Sequence, residues 1–320
     1  MTMRTLARTL SPLILLIAGL IAGLIAGLMA GLGAGPGEAA SRIPVVATTT
    51  DLKALVEAVG GDLVDVDALA RGSQNPHDLE VRPSLMVKVR RADLLVMNGL
   101  ELDQWAEVVV QGAGNPRVGP GAPGRVDASA GLLVLEVPQA KVDRSMGDVH
   151  PVGNPHYSID PGMAAGVTAN IVEGLARVAP QSRSVFERNR QAFLARVDQA
   201  LARWTAEMAP FKGAKVVVDH NMWIYFLTRF GLVQAGSIEE RPGIPPTPSH
   251  LTRLIAQMRD QKVRVILSLP WSDQKLAERV AQEAGAKVVP LAPAVGSVKG
   301  ADGYIETIDY NVRSIAQALR

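Results

Sequence analysis

Short β-branched runs alternate with stretches of helical periodicity along most of this chain. In the first half, Ile43 to Thr48, Leu63 to Leu69, Asp93 to Met97 and Leu132 to Val137 read as strands. Helical stretches fall between and after them. Leu52 to Val59 is capped by Thr50 or Asp51 and stopped by Gly60-Gly61. Pro83 to Arg91 and Leu102 to Val110 follow, and Asp160-Pro161 starts a helix that runs to about Val178. Glycine and proline mark Gly112 to Arg125 as a loop, and Pro138 to Gly153 reads as another. The second half restarts the pattern. Lys215 to Asp219, Val263 to Leu269 and Lys287 to Leu291 read as strands; Asn221 to Phe230, Pro248 to Gln261, Asp273 to Glu283 and Ile305 to Leu319 read as helices. Such alternation implies parallel sheets with right-handed crossovers.

Ser182 to Met208 breaks the rhythm, because it is helical without interruption. At 1.5 Å per residue it is roughly 40 Å long. That length suits a strut between two lobes, although a helix packed on one domain has the same pattern. The expected fold is α/β: two lobes, each with a mainly parallel sheet flanked by helices, joined by one long helix. The boundaries fall at residues 41–180, 181–209 and 210–320.

The first forty residues have another character. Arg4 and Arg8 precede an uncharged apolar run from Leu13 to Leu32, and small residues fill Gly33 to Ala40. This is the layout of a secretory signal over residues 1–40, with cleavage after Ala39 or Ala40. The run is long, so an uncleaved membrane anchor is the competing reading. Either way the folded part lies outside the cytoplasm.

Composition narrows the chemistry. The 320 residues suit two domains. With no cysteine, there is no disulfide framework, thiolate metal site, cysteine nucleophile or lipid anchor on cysteine. A net charge of +2 and 4% aromatics argue against a nucleic-acid binder. No G-x-G-x-x-G, P-loop or G-x-S-x-G pattern is present.

The chemistry therefore rests on five histidines. His77 stands in Gln74-Asn75-Pro76-His77-Asp78, after a strand. His156 stands in Gly153-Asn154-Pro155-His156-Tyr157, just before the Asp160 cap. His220 directly follows the strand Lys215 to Asp219. In open α/β sheets, ligands bind at strand carboxyl ends. The Asn-Pro before His77 and His156 restricts the backbone ahead of each imidazole. Three neutral imidazoles suit Zn²⁺, with a carboxylate or water in fourth place. A single loop histidine is most often solvated, and spacings of 79 and 64 residues are not a metal motif by themselves. Ligands of this kind must be deprotonated, so metal affinity is expected to fall below about pH 6.5.

Five segments together resemble the zinc/manganese solute-binding proteins of bacterial ABC transporters. They are Thr48-Thr49-Thr50-Asp51-Leu52, Asn75-Pro76-His77, Ala92 to Gly99, Asn154 to Pro161 and Pro242 to Pro248. The match runs in order from about Val45 to Ala318. The resemblance implies two α/β lobes joined by a rigid helix, with metal buried between them at His77, His156 and His220. It implies a periplasmic, monomeric carrier whose partners are an ABC permease and its ATPase, and which meets the membrane only through that permease. Manganese-type members place a glutamate where His220 stands, so zinc is expected and Mn²⁺ less so, since Mn²⁺ prefers oxygen ligands.

Three departures accompany the resemblance. Leu291 to Gly296 lacks the aspartate that many members carry after the last strand, which leaves water, Asp273 or Glu240 for the fourth position; Asp273 also reads as a helix cap and Glu240 as solvated. Ser158 replaces an aromatic beside His156. No histidine-rich tract lies between Gly112 and Gly153; His150 alone is there, read as a solvated loop residue or a weak auxiliary contact. His250 is expected to be exposed. The four tryptophans read as core or interface, and Asp160 as a cap. Two rivals remain at this point: a zinc hydrolase or hydratase with a His₃-water site, and an adhesin or zinc-storage protein.

Overall fold

The computed structural model describes residues 42–143 and 146–320. The expected signal at residues 1–40 lies outside them. In chain order the elements are β1 (Ile43–Ala47), α1 (Thr50–Gly60), β2 (Val64–Ala68), α2 (Pro83–Arg91), β3 (Leu94–Met97), α3 (Trp105–Ala113), β4 (Arg125–Asp127), α4 (Ala164–Val178) and α5 (Arg183–Met208). Then come β5 (Lys215–Val218), α6 (Ile224–Phe230), β6 (Val233–Ser237), α7 (Pro248–Asp260), β7 (Val265–Ser268), α8 (Gln274–Ala284), β8 (Lys287–Pro290) and α9 (Tyr304–Leu319).

The strands form two four-stranded sheets of the same design. Their orders are β2-β1-β3-β4 and β6-β5-β7-β8. Every pairing is parallel. Because strand side chains alternate in direction, each central strand feeds two cores. Val45, Ala47, Leu94 and Val96 point into one apolar cluster, while Val46, Leu95 and Met97 point into another. In the second sheet, Val216, Val218, Val265 and Leu267 face one way and Val217 and Ile266 the other.

The long helix links these cores. Along α5, Phe186, Phe193 and Val197 pack into the first sheet's cluster. Ala200, Trp204 and Met208 continue the stripe into the second sheet's cluster. The spacing of three, four or seven residues keeps all six on one helix face. At 26 residues, α5 is long enough to serve both halves.

Local signals set the helix ends. Thr49, one residue earlier than expected, caps α1 by accepting from the Leu52 amide at 3.4 Å. Proline opens α2 and α7. Gly114, Gly231 and Gly285, all left-handed, close α3, α6 and α8. No described helix is long and apolar enough to cross a membrane.

Three strand expectations need correcting. Leu132 to Val137 is irregular and joins neither sheet. Its Leu135 amide donates to Tyr225 Oη at 3.0 Å, and its Leu135 carbonyl accepts from the Asn154 amide at 2.9 Å. The backbone groups of Leu135 are thus satisfied without a neighbouring strand. Conversely, β4 lies at the end of the expected Gly112 to Arg125 loop, and β6 was not anticipated. β4 has only three residues, too few to show a period. β6 reads Val-Gln-Ala-Gly-Ser, a weak β sequence that borrows its order from β5 as an edge strand.

Candidate metal centre

Both sheets deliver histidines from their carboxyl edges. His77 lies in the connection after β2, and His220 lies two residues beyond β5. His156 lies in the segment between β4 and α4. One ring nitrogen from each comes within 4.8 Å of the others. His77 Nε2 and His156 Nε2 are 3.2 Å apart. Tetrahedral zinc with Zn–N of 2.0–2.1 Å sets its nitrogens about 3.3 Å apart. That pair therefore already has the separation that two ligands of one zinc would have.

The Asn-Pro-His triplets are built alike. Asn75 Oδ1 accepts the His77 amide at 3.1 Å, and Asn154 Oδ1 accepts the His156 amide at 3.0 Å. Each asparagine folds an Asx turn around its proline, so the imidazole leaves a fixed backbone. Trp105 Nε1 then donates to the Pro76 carbonyl at 2.8 Å. Trp105, read from the sequence as core or interface, anchors the His77 turn.

The His156 segment is held from both halves. Asn98 Nδ2 donates to the Pro155 carbonyl at 3.1 Å, and Tyr157 Oη donates to the Asn98 carbonyl at 2.6 Å. Asn98 precedes Gly99, whose φ of 77° and close approach to Asp127 and Ser129 leave no room for a Cβ. Ser158 Oγ donates to Asp51 Oδ2 at 3.0 Å, and the other Asp51 oxygen accepts the Val295 amide at 2.8 Å. Ser158 thus ties the segment that carries His156 to α1. From the second half, Asn221 offers its carbonyl to Asn154 Nδ2 at 3.0 Å. Asp160 caps as expected, accepting the Gly162 amide, and Arg229 grips both its oxygens at 2.7 and 2.9 Å.

Burial keeps two of these rings, His77 and His156, neutral. It pushes His77 down to about 2, assisted by the nearby His220 and His150. It drives His156 well below the ordinary histidine value, assisted by the same neighbours and His77. Protons therefore compete for these two rings only below the pH of about 6.5 expected from the sequence.

Glu239 is the residue that sequence reasoning missed. Its Oε2 lies 2.8 Å from His220 Nδ1 and also accepts the Gly243 amide at 2.7 Å. With Nδ1–H donating to a carboxylate, the lone pair of His220 sits on Nε2. The signal was the carboxylate pair Glu239-Glu240 after a short run, but only the structure selects the first. Glu240 instead pairs with Arg253 at 3.2 Å.

Of the two readings the sequence left for Asp273, the structure shows the cap. Asp273 Oδ1 accepts the Leu276 amide at 3.1 Å, so it caps α8, and it is outside the histidine group. His250 is not exposed: its Nε2 lies 2.9 Å from the Ser237 carbonyl, and its side chain is 17% accessible. His150 is not simply solvated either. Its ring stacks on His77, with centroids 5.1 Å apart and planes at 29°.

A two-sheet α/β protein whose strand ends and loops gather three largely buried imidazoles has the donor set of a metal-binding protein. The chain is a member of the family described as ZnuA, zinc-uptake complex component A, periplasmic, whose pattern matches residues 45–318. It is 25% identical over 287 residues to the high-affinity zinc uptake system protein ZnuA of Bacillus subtilis (strain 168), covering 87% of this chain and 88% of the relative. It is 26% identical over 293 residues to the iron-binding protein YfeA of Yersinia pestis, covering 89% and 88%. A zinc-bound crystal structure of a ZnuA deletion mutant superposes with a TM-score of 0.74 at 26% identity, over 87% of this chain and 98% of that one.

Proposed function

We propose that this chain is a periplasmic carrier that captures Zn²⁺ at His77, His156 and His220 and delivers it to the permease and ATPase of an ABC importer. The lobes at residues 41–180 and 210–320, joined through residues 181–209, hold the ion between them. The carrying observation is that both sheets contribute imidazoles whose nitrogens gather within 4.8 Å of one another. Nitrogen donors favour zinc over manganese by both softness and affinity order. A relative named as a zinc uptake protein and a zinc-bound structural neighbour support the cargo, and the word periplasmic in the family description supports the location. Zinc is the substrate here, bound and released unchanged, so the protein acts as a carrier and not as a hydrolase.

Competition titration with zinc, manganese and iron tests the reading. Zinc should displace manganese with at least tenfold preference. Manganese or iron binding tighter than zinc would overturn the cargo assignment. Ester turnover by the zinc form, lost in His220→Ala, would replace the carrier with the hydrolase.

A further inference from the structure

Three histidines leave one tetrahedral position to fill, and the two carboxylates read from the sequence are committed elsewhere. A cavity of about 160 Å³ adjoins the cluster, with His156 and His220 on its lining. His150, Asp148 and Glu136 line it too. His150 Nε2 is buried there and has no hydrogen-bond partner among the described residues. A buried polar atom without a partner costs free energy unless something else satisfies it. Its ring sits 5.1 Å from that of His77, no farther than the 5.1 to 5.9 Å separating the rings of the cluster itself.

The backbone that carries His150 is anchored to the second half. The Asp148 amide donates to the Pro242 carbonyl at 2.8 Å, and Gly147, at φ 75°, packs on the same carbonyl. The next residue, Gly243, donates to Glu239, which holds His220. One turn thus supports both His150 and His220. His150 is outside the group whose nitrogens lie within 4.8 Å of one another. Joining that group therefore requires the His150 side chain to reorient.

We propose that His150 is the fourth ligand of the cargo ion, its Nε2 closing the coordination that His77, His156 and His220 begin. This rests on the three-histidine reading above. Four imidazoles would exclude the bound water that a catalytic zinc keeps, and would add to the nitrogen character that selects against Mn²⁺. Asp148, whose Oδ2 is also buried and without a hydrogen-bond partner among the described residues, is the competing donor on the same loop.

The test uses the full chain loaded with cobalt(II), whose visible spectrum reports coordination, and azide, a small anion that occupies open positions. The intact protein should give a tetrahedral spectrum that azide leaves unchanged. His150→Ala and His150→Asn should bind cobalt with spectra that azide shifts, and should weaken zinc about 10- to 100-fold. Asp148→Asn should behave as the intact chain does. Azide shifting the intact protein as readily as His150→Ala, or Asp148→Asn alone opening the site, would overturn this proposal and leave the three-histidine centre standing. An intact chain with no cobalt spectrum would overturn both.

Discussion

The two sheets share one strand order yet furnish the site in different ways. The first supplies His77 and His156 from long connections, each imidazole fixed by an Asn-Pro turn. The second supplies His220 almost directly from β5 and fixes it with a carboxylate, Glu239. Loop histidines need backbone rigidity from elsewhere, here from Trp105, Asn98 and Tyr157. A strand-end histidine already has a rigid backbone and needs only its tautomer set. The same sheet design therefore brings its imidazoles into one cluster through two kinds of support.

The largest effect should come from severing what the two halves share. Trp204 is fully buried on α5 and donates to Asp309 Oδ1 at 3.0 Å. Trp204→Ala should cost about 3–5 kcal/mol of stability, read from urea unfolding. A loss below about 1 kcal/mol would show that α5 does not tie the second core.

Next comes the contrast in support. Glu239→Gln should weaken zinc about 10- to 100-fold while leaving the melting temperature of the metal-free protein nearly unchanged. Trp105→Phe, which loses the bond to the Pro76 carbonyl, should lower zinc affinity less. Equal effects from calorimetric titration would erase the distinction between backbone support and tautomer support.

Acid should act on the metal-free protein through the first sheet's histidines. Burial lowers His77, His150 and His156, to about 2 and about 4 for the first two, so the unfolded chain takes up protons first as pH falls below about 6.5. Stability should fall with acidification in that range. Asp51 and Asp219, raised by burial to about 6, run the other way between about pH 6 and 4, because there the folded state binds the extra protons. Burial raises Asp103 and Asp148 as well, which adds to that opposing trend, so the histidine contribution is read by difference: between pH 7.5 and pH 5 the urea midpoint of the unaltered chain should fall relative to that of His77/His150/His156→Gln. Midpoints of the two proteins that change in parallel on acidification would contradict the assignment.

The smallest effect belongs to Asp273. As a cap, Asp273→Ala should cost about 1 kcal/mol and leave zinc affinity unchanged. A tenfold loss of zinc affinity would return it to the ligand list.

Much of this was legible along the chain because the buried strands are continuous β-branched runs and the helices carry caps and prolines. Val216 to Val218 and Val265 to Leu267 announce themselves; Ala235-Gly236-Ser237 does not, because an edge strand takes its order from its neighbour. Leu132 to Val137 misled because a short apolar run predicts a strand but supplies no partner for it. The three histidines were readable through their turns and strand ends. Glu239 and His150 were not, since their roles depend on where the turn at Pro242 and Gly243 folds, which is set by tertiary contacts with both loops.

The central claim is that one ion binds to imidazoles contributed by both sheets. Zinc titration of the intact chain against the His77/His156/His220→Ala triple variant, followed by calorimetry with metal analysis, tests it most directly. One tightly held zinc per intact chain and none in the triple variant is the predicted result. A triple variant that still holds one zinc tightly would contradict it.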